Sequence, residues 1–325
     1  MSIGLDLTTL CFRSLRADDT VLAGRSCRAD VVPVGKSPIH RQLLDQLRLN
    51  YAECDSHWLL WGELAERYAD VFHSACLPLL TDGEVPENQP PIRQMLAYLM
   101  EGLLPTAETP NHLCGVAFSQ SRSDPRRSTI DFFTQLINLC GYCVAAVSPA
   151  QALALAELSS CRYSGIVLHL GVAVSDFCVM HHGTVLWKES VDLLDVLPLD
   201  VSDAFQAVLL KAGRDETDQT INAAASADDV LTRCRVMQTV MEHHFAGLTA
   251  AELFTPTSPA MPLLLGGECP RGSAVVSGLQ QDMASLSGPI PLSEVRWPIF
   301  GEHAVARGCL IHAELESQKT ITRAA

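Results

Sequence analysis

The sequence predicts an α/β protein of two similar halves facing a shared cleft. Three observations carry this. First, Gly165–Val185 (GIVLHLGVAVSDFCVMHHGTV) has an apolar run at Ile166–Leu168, a turn at Gly171, an alternating run from Val174 to Met180 and a second turn at His181-His182-Gly183. That is strand, turn, strand, turn, strand, with a two-faced apolar first strand suited to the middle of a sheet. Second, a similar three-strand meander opens the chain near residue 1. Third, His112–Leu158 alternates strand and helix twice, the order of a layered sheet. Glycine-bearing turns between central strands can gather backbone N–H groups around an anion, and two such turns would meet at the cleft.

In chain order, Ser2–Thr8 reads as a strand, Cys11–Leu15 as its return, and Val21–Arg25 and Ala29–Pro33 as extensions of the same sheet. Ser37-Pro38 starts a helix with Ile39, Leu43, Leu44 and Leu47 on one face. His57–Trp61 is a short apolar strand, Gly62–Tyr68 a short helix, and Leu77–Leu80 a further apolar stretch before the Asp82-Gly83 turn. Ile92, Met95, Leu96, Leu99, Met100, Leu103 and Leu104 keep helical spacing until Pro105. His112–Ala117 is a strand, Ser119–Arg127 a polar loop, and Ile130–Cys140 a helix ended by Gly141. Tyr142–Val147 is a strand, and Ser148-Pro149 caps the helix that runs to about Leu158.

Beyond the central hairpin, Trp187–Leu194 reads as a strand or strand pair and Asp203–Leu210 as helix, and Asp215–Asp218 is an acidic loop. Asp228–Phe245 is a long amphipathic helix, and Pro262–Leu265 a strand leading into Gly266-Gly267. A helix carrying Val275, Val276, Leu279, Met283 and Leu286, a strand at Leu292–Val295 and a helix from Glu302 to Leu315 follow, and Glu316–Ala325 is a polar tail.

Composition narrows the function classes. The 325 residues suggest about two domains. Hydrophobic content of 48% supplies large cores, and a net charge of −14 with pI near 5.1 argues against nonspecific binding to nucleic acid or anionic membranes. The N-terminus lacks a signal-peptide pattern, and no apolar run approaches the roughly 20 residues of a membrane span. A cytoplasmic protein is expected, with at most peripheral membrane contact. The 12 cysteines are scattered, so they read as small buried hydrophobes. Cys140-Gly-Tyr-Cys143 has no second pair to complete a metal site. His243 and His244 are adjacent on a helix and cannot share a metal.

Five stretches in order resemble the motifs of the actin, sugar-kinase and heat-shock-chaperone superfamily, most closely the bacterial actin homologue MreB. Gly4-Leu5-Asp6-Leu7-Thr8-Thr9 is similar to the first phosphate motif, with Thr8 in place of a glycine. His169-Leu170-Gly171-Val172-Ala173-Val174-Ser175-Asp176 is similar to the second, with His169 in place of its lead aspartate and Val172 and Ala173 in place of glycines. Gly266-Gly267 is similar to the adenosine motif, with Gly278 downstream. Ser148–Ala152 and Ala304–Gly308 are similar to the two hinge helices. Leu77–Val85 and the compact insert between Leu194 and Pro262 carry the likeness to MreB.

The resemblance implies an actin-like two-domain fold around a nucleotide cleft. Residues 1–147 are expected to form one domain, with a small insert at about 34–84. Residues 148–315 form the other, with a helical insert at about 195–261, and 316–325 the tail. It implies ATP contacts from Asp6, Thr8, Thr9, Gly171, Val172, Ser175, Gly266 and Gly267, and a Mg²⁺ site at Asp6 and Asp176. The departures lie at the phosphate end. Imidazole is a poor Mg²⁺ partner, and β-branched Val172 resists the positive φ open to glycine. Nucleotide and metal binding are therefore expected to be weak or lost. No catalytic residue is assigned; Gln120, Ser123 and Asp124 lie near where a water-activating group is expected. Three functions are in view: an actin-like scaffold or regulator with little hydrolysis, an active filament-forming ATPase organising the cell envelope, and a sugar-kinase-like phosphotransferase. Homo-oligomers or filaments are the expected assembly.

Overall fold

The computed structural model describes residues 2–8, 11–18, 21–54, 56–80, 83–107, 112–118, 127–205, 208, 227–251, 259–269 and 290–324. Fourteen strands are described. The first half carries β1 (Ile3–Asp6), β2 (Cys11–Asp18), β3 (Val21–Arg28), β4 (Asp30–Gly35), β5 (Tyr51–Glu53), β6 (His57–Trp61), β7 (Leu77–Pro78), β8 (His112–Ala117) and β9 (Tyr142–Val147). The second half carries β10 (Gly165–Leu170), β11 (Val174–His181), β12 (Thr184–Asp192), β13 (Met261–Gly267) and β14 (Leu292–Arg296).

Two five-stranded sheets share one topology. Their orders are β3-β2-β1-β8-β9 and β12-β11-β10-β13-β14. In each, an antiparallel meander is followed by two parallel strands, added on the far side of the first strand of the meander. The repeat seen in the sequence is thus a repeat of strand order. β10 is buried along its whole length, as expected for the middle of a sheet packed on both faces.

One expected strand goes elsewhere. β4 leaves the first sheet and pairs with β6 and β7 in a separate four-stranded sheet of order β5-β6-β4-β7. The reason lies in its alternation: Val31 packs into the core beneath β1, while Val32 and Val34 face a second core with Leu44, Trp58 and Phe72. Ser37 caps the helix Pro38–Leu47 by accepting from the His40 N–H, and Gly141 takes φ +91° after the helix Arg127–Leu139, both as the sequence indicates. Trp187 lies within β12, which ends at Asp192; Leu193 begins a helical turn, Leu193–Val196, instead of prolonging the strand. Residues 199–205 and Ala227–Ala250 are helical. The expected loop at 119–126, the acidic loop at 215–218 and the helix around Val275–Leu286 lie outside the described residues. The C-terminal helix runs from Ala304 to Ala324, so the tail continues as helix past Leu315.

Two helices lie between the sheets, and their packing is crossed. The helix Pro149–Glu157 follows the first sheet in sequence but packs on β10 and β11 of the second. The C-terminal helix follows the second sheet but packs on β1 and β8 of the first. Every residue of Pro149–Glu157 except Gln151 is buried, as a helix covered on all sides must be. Ser148 caps it by accepting from the Gln151 N–H. At its end Glu157 accepts from the N–H groups of Ile299 and Phe300 at 3.0 and 3.1 Å, and so positions the turn into the C-terminal helix. Arg307 adds to this joint, donating to the Ala156 carbonyl and stacking on the Phe300 ring. Glu157→Ala is expected to destabilise the chain by about 2 kcal/mol, the worth of charge-assisted bonds to a carboxylate. A shift of the urea midpoint at constant slope checks it.

Candidate functional site

The first turn follows β1. Asp6 Oδ1 accepts from the Thr8 N–H at 3.0 Å and from the Thr8 hydroxyl at 2.6 Å. Directly opposite Asp6 across the β1–β2 ladder is Arg13, a buried guanidinium. Arg13 also donates to the Cys11 carbonyl and to Glu302, which tie it to the start of the C-terminal helix. Burial opposes its charge, but Cys11, Asp6 and Glu302 outweigh that and raise its pKa. Thr9, expected to contact nucleotide, lies outside the described residues.

The second turn joins β10 to β11. The Gly171 N–H donates to the Val174 carbonyl at 2.9 Å, so this backbone donor closes the turn. The Leu193 N–H donates to the Ala173 carbonyl. No residue of 171–173 uses a positive φ, so the turn has a shape that Val172 and Ala173 adopt without strain. His169 and Asp176 are paired across the ladder and share a face, while Ser175 points to the opposite one.

These placements bring some expected residues together and separate others. Asp6, Thr8, His169 and Arg13 form one cluster across the two sheets. Thr8 Oγ1 lies 3.3 Å from His169 Nε2, joining turns 161 residues apart in sequence. Hydrogen counting sets the direction of this bond. The Thr8 hydroxyl has a single proton, which goes to Asp6. His169 therefore donates through Nε2–H, and its buried Nδ1 finds no partner. Burial, assisted by Arg13, overcomes the pull of Asp6 and lowers the His169 pKa to about 4, so the ring is neutral.

Asp176 is fully buried. Burial raises its pKa to about 7 against the opposing effect of the Ser190 hydroxyl, which donates to Oδ1 at 2.5 Å. Its Oδ2 has no partner. Ser175 lies outside the cluster. Its hydroxyl is 3.1 Å from His244 Nε2, and His244 Nδ1 is 3.1 Å from Glu189 Oε2. Glu189 can only accept, so His244 donates to it and accepts from Ser175. The order Ser–His–Glu is that of a nucleophile relay. Here Ser175 and His244 are both fully buried, and Phe177 stacks on His244. Sequence reading assigned His244 no role, although it falls on the apolar stripe Met237, Val240, Met241 and Leu248. Arg13 was likewise missed; the hairpin register between β1 and β2 would have placed it opposite Asp6.

Gly266 and Gly267 have packing reasons of their own. A Cβ on Gly266 would lie 2.2 Å from Leu153 Cδ2. Gly267 has φ +69°, and a Cβ there would lie 2.2 Å from the Leu170 carbonyl oxygen and 3.0 Å from His169 Nε2. Gly278 lies outside the described residues.

The donor set does not suit a magnesium-bound polyphosphate. One oxygen of Asp6 is already bonded to two donors, His169 is neutral and nitrogen-based, and Asp176 retains a proton up to about pH 7. Thr8 and His169 touch, so a phosphate chain cannot pass between them unless the turns part. Among the described residues no group of three His, Cys, Asp or Glu side chains is placed to hold a metal ion. Among them, too, no helix is long and apolar enough to cross a membrane.

Comparison with known proteins agrees with this architecture. No curated protein matches the chain. The solved structure of a MamK double helical filament is similar with a TM-score of 0.58 at 14% identity, covering 96% of this chain and 98% of that one. MreB 5 of Spiroplasma citri bound to AMPPNP is similar with a TM-score of 0.57 at 10% identity, covering 99% and 97%. Apo psk41 ParM gives 0.50 at 9% identity, covering 98% of each chain. At such identities the likeness shows the fold, which is the actin-like two-domain fold. Residues 1–193, more than half of the sequence, match the family described as Volactin. The chain belongs to the Volactin family and carries the actin-like fold.

Proposed function

We propose that this chain is an MreB-like cytoskeletal scaffold or regulator that binds nucleotide weakly or not at all and hydrolyses it poorly. The observation that carries the reading is the contact of Thr8 with His169, at the position where the resemblance places the phosphates. In this reading residues 1–147 and 148–315 are the two domains, and the helices meeting at Gly308 are the hinge. The protein acts in the cytoplasm and self-assembles; support comes from the fold shared with a MamK filament. Any ATP would rest on Asp6, Thr8, Thr9, Gly171, Val172 and the Gly266-Gly267 turn. Ser175 would contribute through its backbone alone, because its hydroxyl is bonded to His244.

A second reading, an active filament-forming ATPase, draws on the AMPPNP-bound MreB 5 of the same fold. Sedimentation with and without Mg-ATP separates the two, together with calorimetry on the purified chain. The scaffold reading expects equal pelleting in both conditions and an ATP affinity no tighter than about 10 μM. Sub-micromolar Mg-dependent binding with steady phosphate release would overturn it in favour of the second.

A further inference from the structure

We propose that Asp6, Thr8 and His169 form a self-inhibitory latch that holds the two turns of the cleft together in place of a bound polyphosphate. This rests on the reading of the cleft as degenerate and on no assumption about filaments.

Three observations carry it. The contact is a directed relay, His169 Nε2–H to Thr8 Oγ1 and Thr8 O–H to Asp6 Oδ1, running from one sheet to the other. All three side chains are buried, so water does not compete for these bonds. The imidazole is also a spacer. It lies against Gly267, where an added Cβ would come within 3.0 Å of Nε2, and so fills the gap between β10, β13 and the first turn.

The relay is short of one partner. His169 Nδ1 is buried with none, which weakens the closed arrangement relative to a fully paired network. Removing the ring, or the hydroxyl it bonds, should therefore loosen both turns together. Once that bond is lost the two turns can part and admit a phosphate-bearing nucleotide between them.

Hydrogen–deuterium exchange on the full chain reads the first effect, at residues 3–8 and 166–175. Calorimetry with ATP, with and without Mg²⁺, reads the second. His169→Ala and Thr8→Val are each expected to raise exchange at both turns about tenfold and to strengthen ATP binding about tenfold. Thr8→Ser keeps the hydroxyl and should match the parent. Thr8→Val is nearly isosteric and keeps the test valid if His169→Ala fails to fold. Faster exchange confined to the substituted turn, or unchanged ATP affinity in both variants, would overturn the latch. If neither parent nor variants pellet but both turns loosen together and ATP binding rises, the scaffold reading falls and the latch stands.

Discussion

Gly308→Ala is expected to lower the melting temperature by about 6 °C, the largest single-residue effect on thermal stability. The added methyl carbon would sit 1.7 Å from the Ala152 carbonyl oxygen, 2.3 Å from its carbon and 2.8 Å from its Cα. All three are backbone atoms of a helix buried on nearly every side, so no rotamer change makes room. The two central helices must move apart, and each carries a sheet with it. Overpacking a core costs about 1–3 kcal/mol where side chains can adjust. Here they cannot, so a loss of about 4 kcal/mol or more is expected, a large part of the stability of an ordinary domain. Gly102→Ala is the control. Nothing lies within 4 Å of its added carbon, and alanine favours helix, so no loss is expected there. Calorimetric melting of the two variants checks this; an unchanged transition for Gly308→Ala would mean that the helices do not cross as described.

Single substitutions at His169 and Asp176 are expected to expose opposite pH dependences that cancel in the parent. Burial raises Asp176 from an ordinary 3.8 to about 7. The folded chain therefore holds that proton more firmly than the unfolded chain. Its contribution is present below about pH 4 and lost as pH rises through 7. Burial lowers His169 from 6.5 to about 4, so there the folded chain resists the proton. That contribution is present above about 6.5 and lost as pH falls through 4. Between pH 4 and 6.5 one slope is downward, the other upward, and each amounts to about a tenfold change in the folding constant per pH unit. The parent should be nearly flat with respect to this pair. His169→Asn should then lose stability as pH rises, by about a thousandfold or ~4 kcal/mol between pH 4 and 7. Asp176→Asn should gain stability from pH 4 to 6.5. Denaturant midpoints across pH 4–7 measure both. Two variants with slopes of the same sign would overturn the assignment of a raised Asp176 and a lowered His169.

Much of the local structure and of the duplication was determined by the sequence alone. Ser37 and Ser148 as caps, Gly141 as a helix end, the two meanders and the order of the five motif-like stretches are set by neighbours in the chain, because helix and strand periodicity is local. The chemical oddities of His169, Val172 and Thr8 were legible for the same reason. What those residues do was not. His169 and Thr8 are 161 positions apart, and their contact depends on how closely the two sheets approach through the crossed helices at Gly308. Periodicity cannot say that Ser175 bonds His244 rather than the cleft, because that depends on which helix covers that face of β11. Nor could it say that β4 leaves its sheet, since an alternating strand suits either partner until two cores compete for its two faces. The sequence alone determined the elements and the altered turns; only the tertiary structure, by bringing distant turns within hydrogen-bonding range, decided that those turns hold each other.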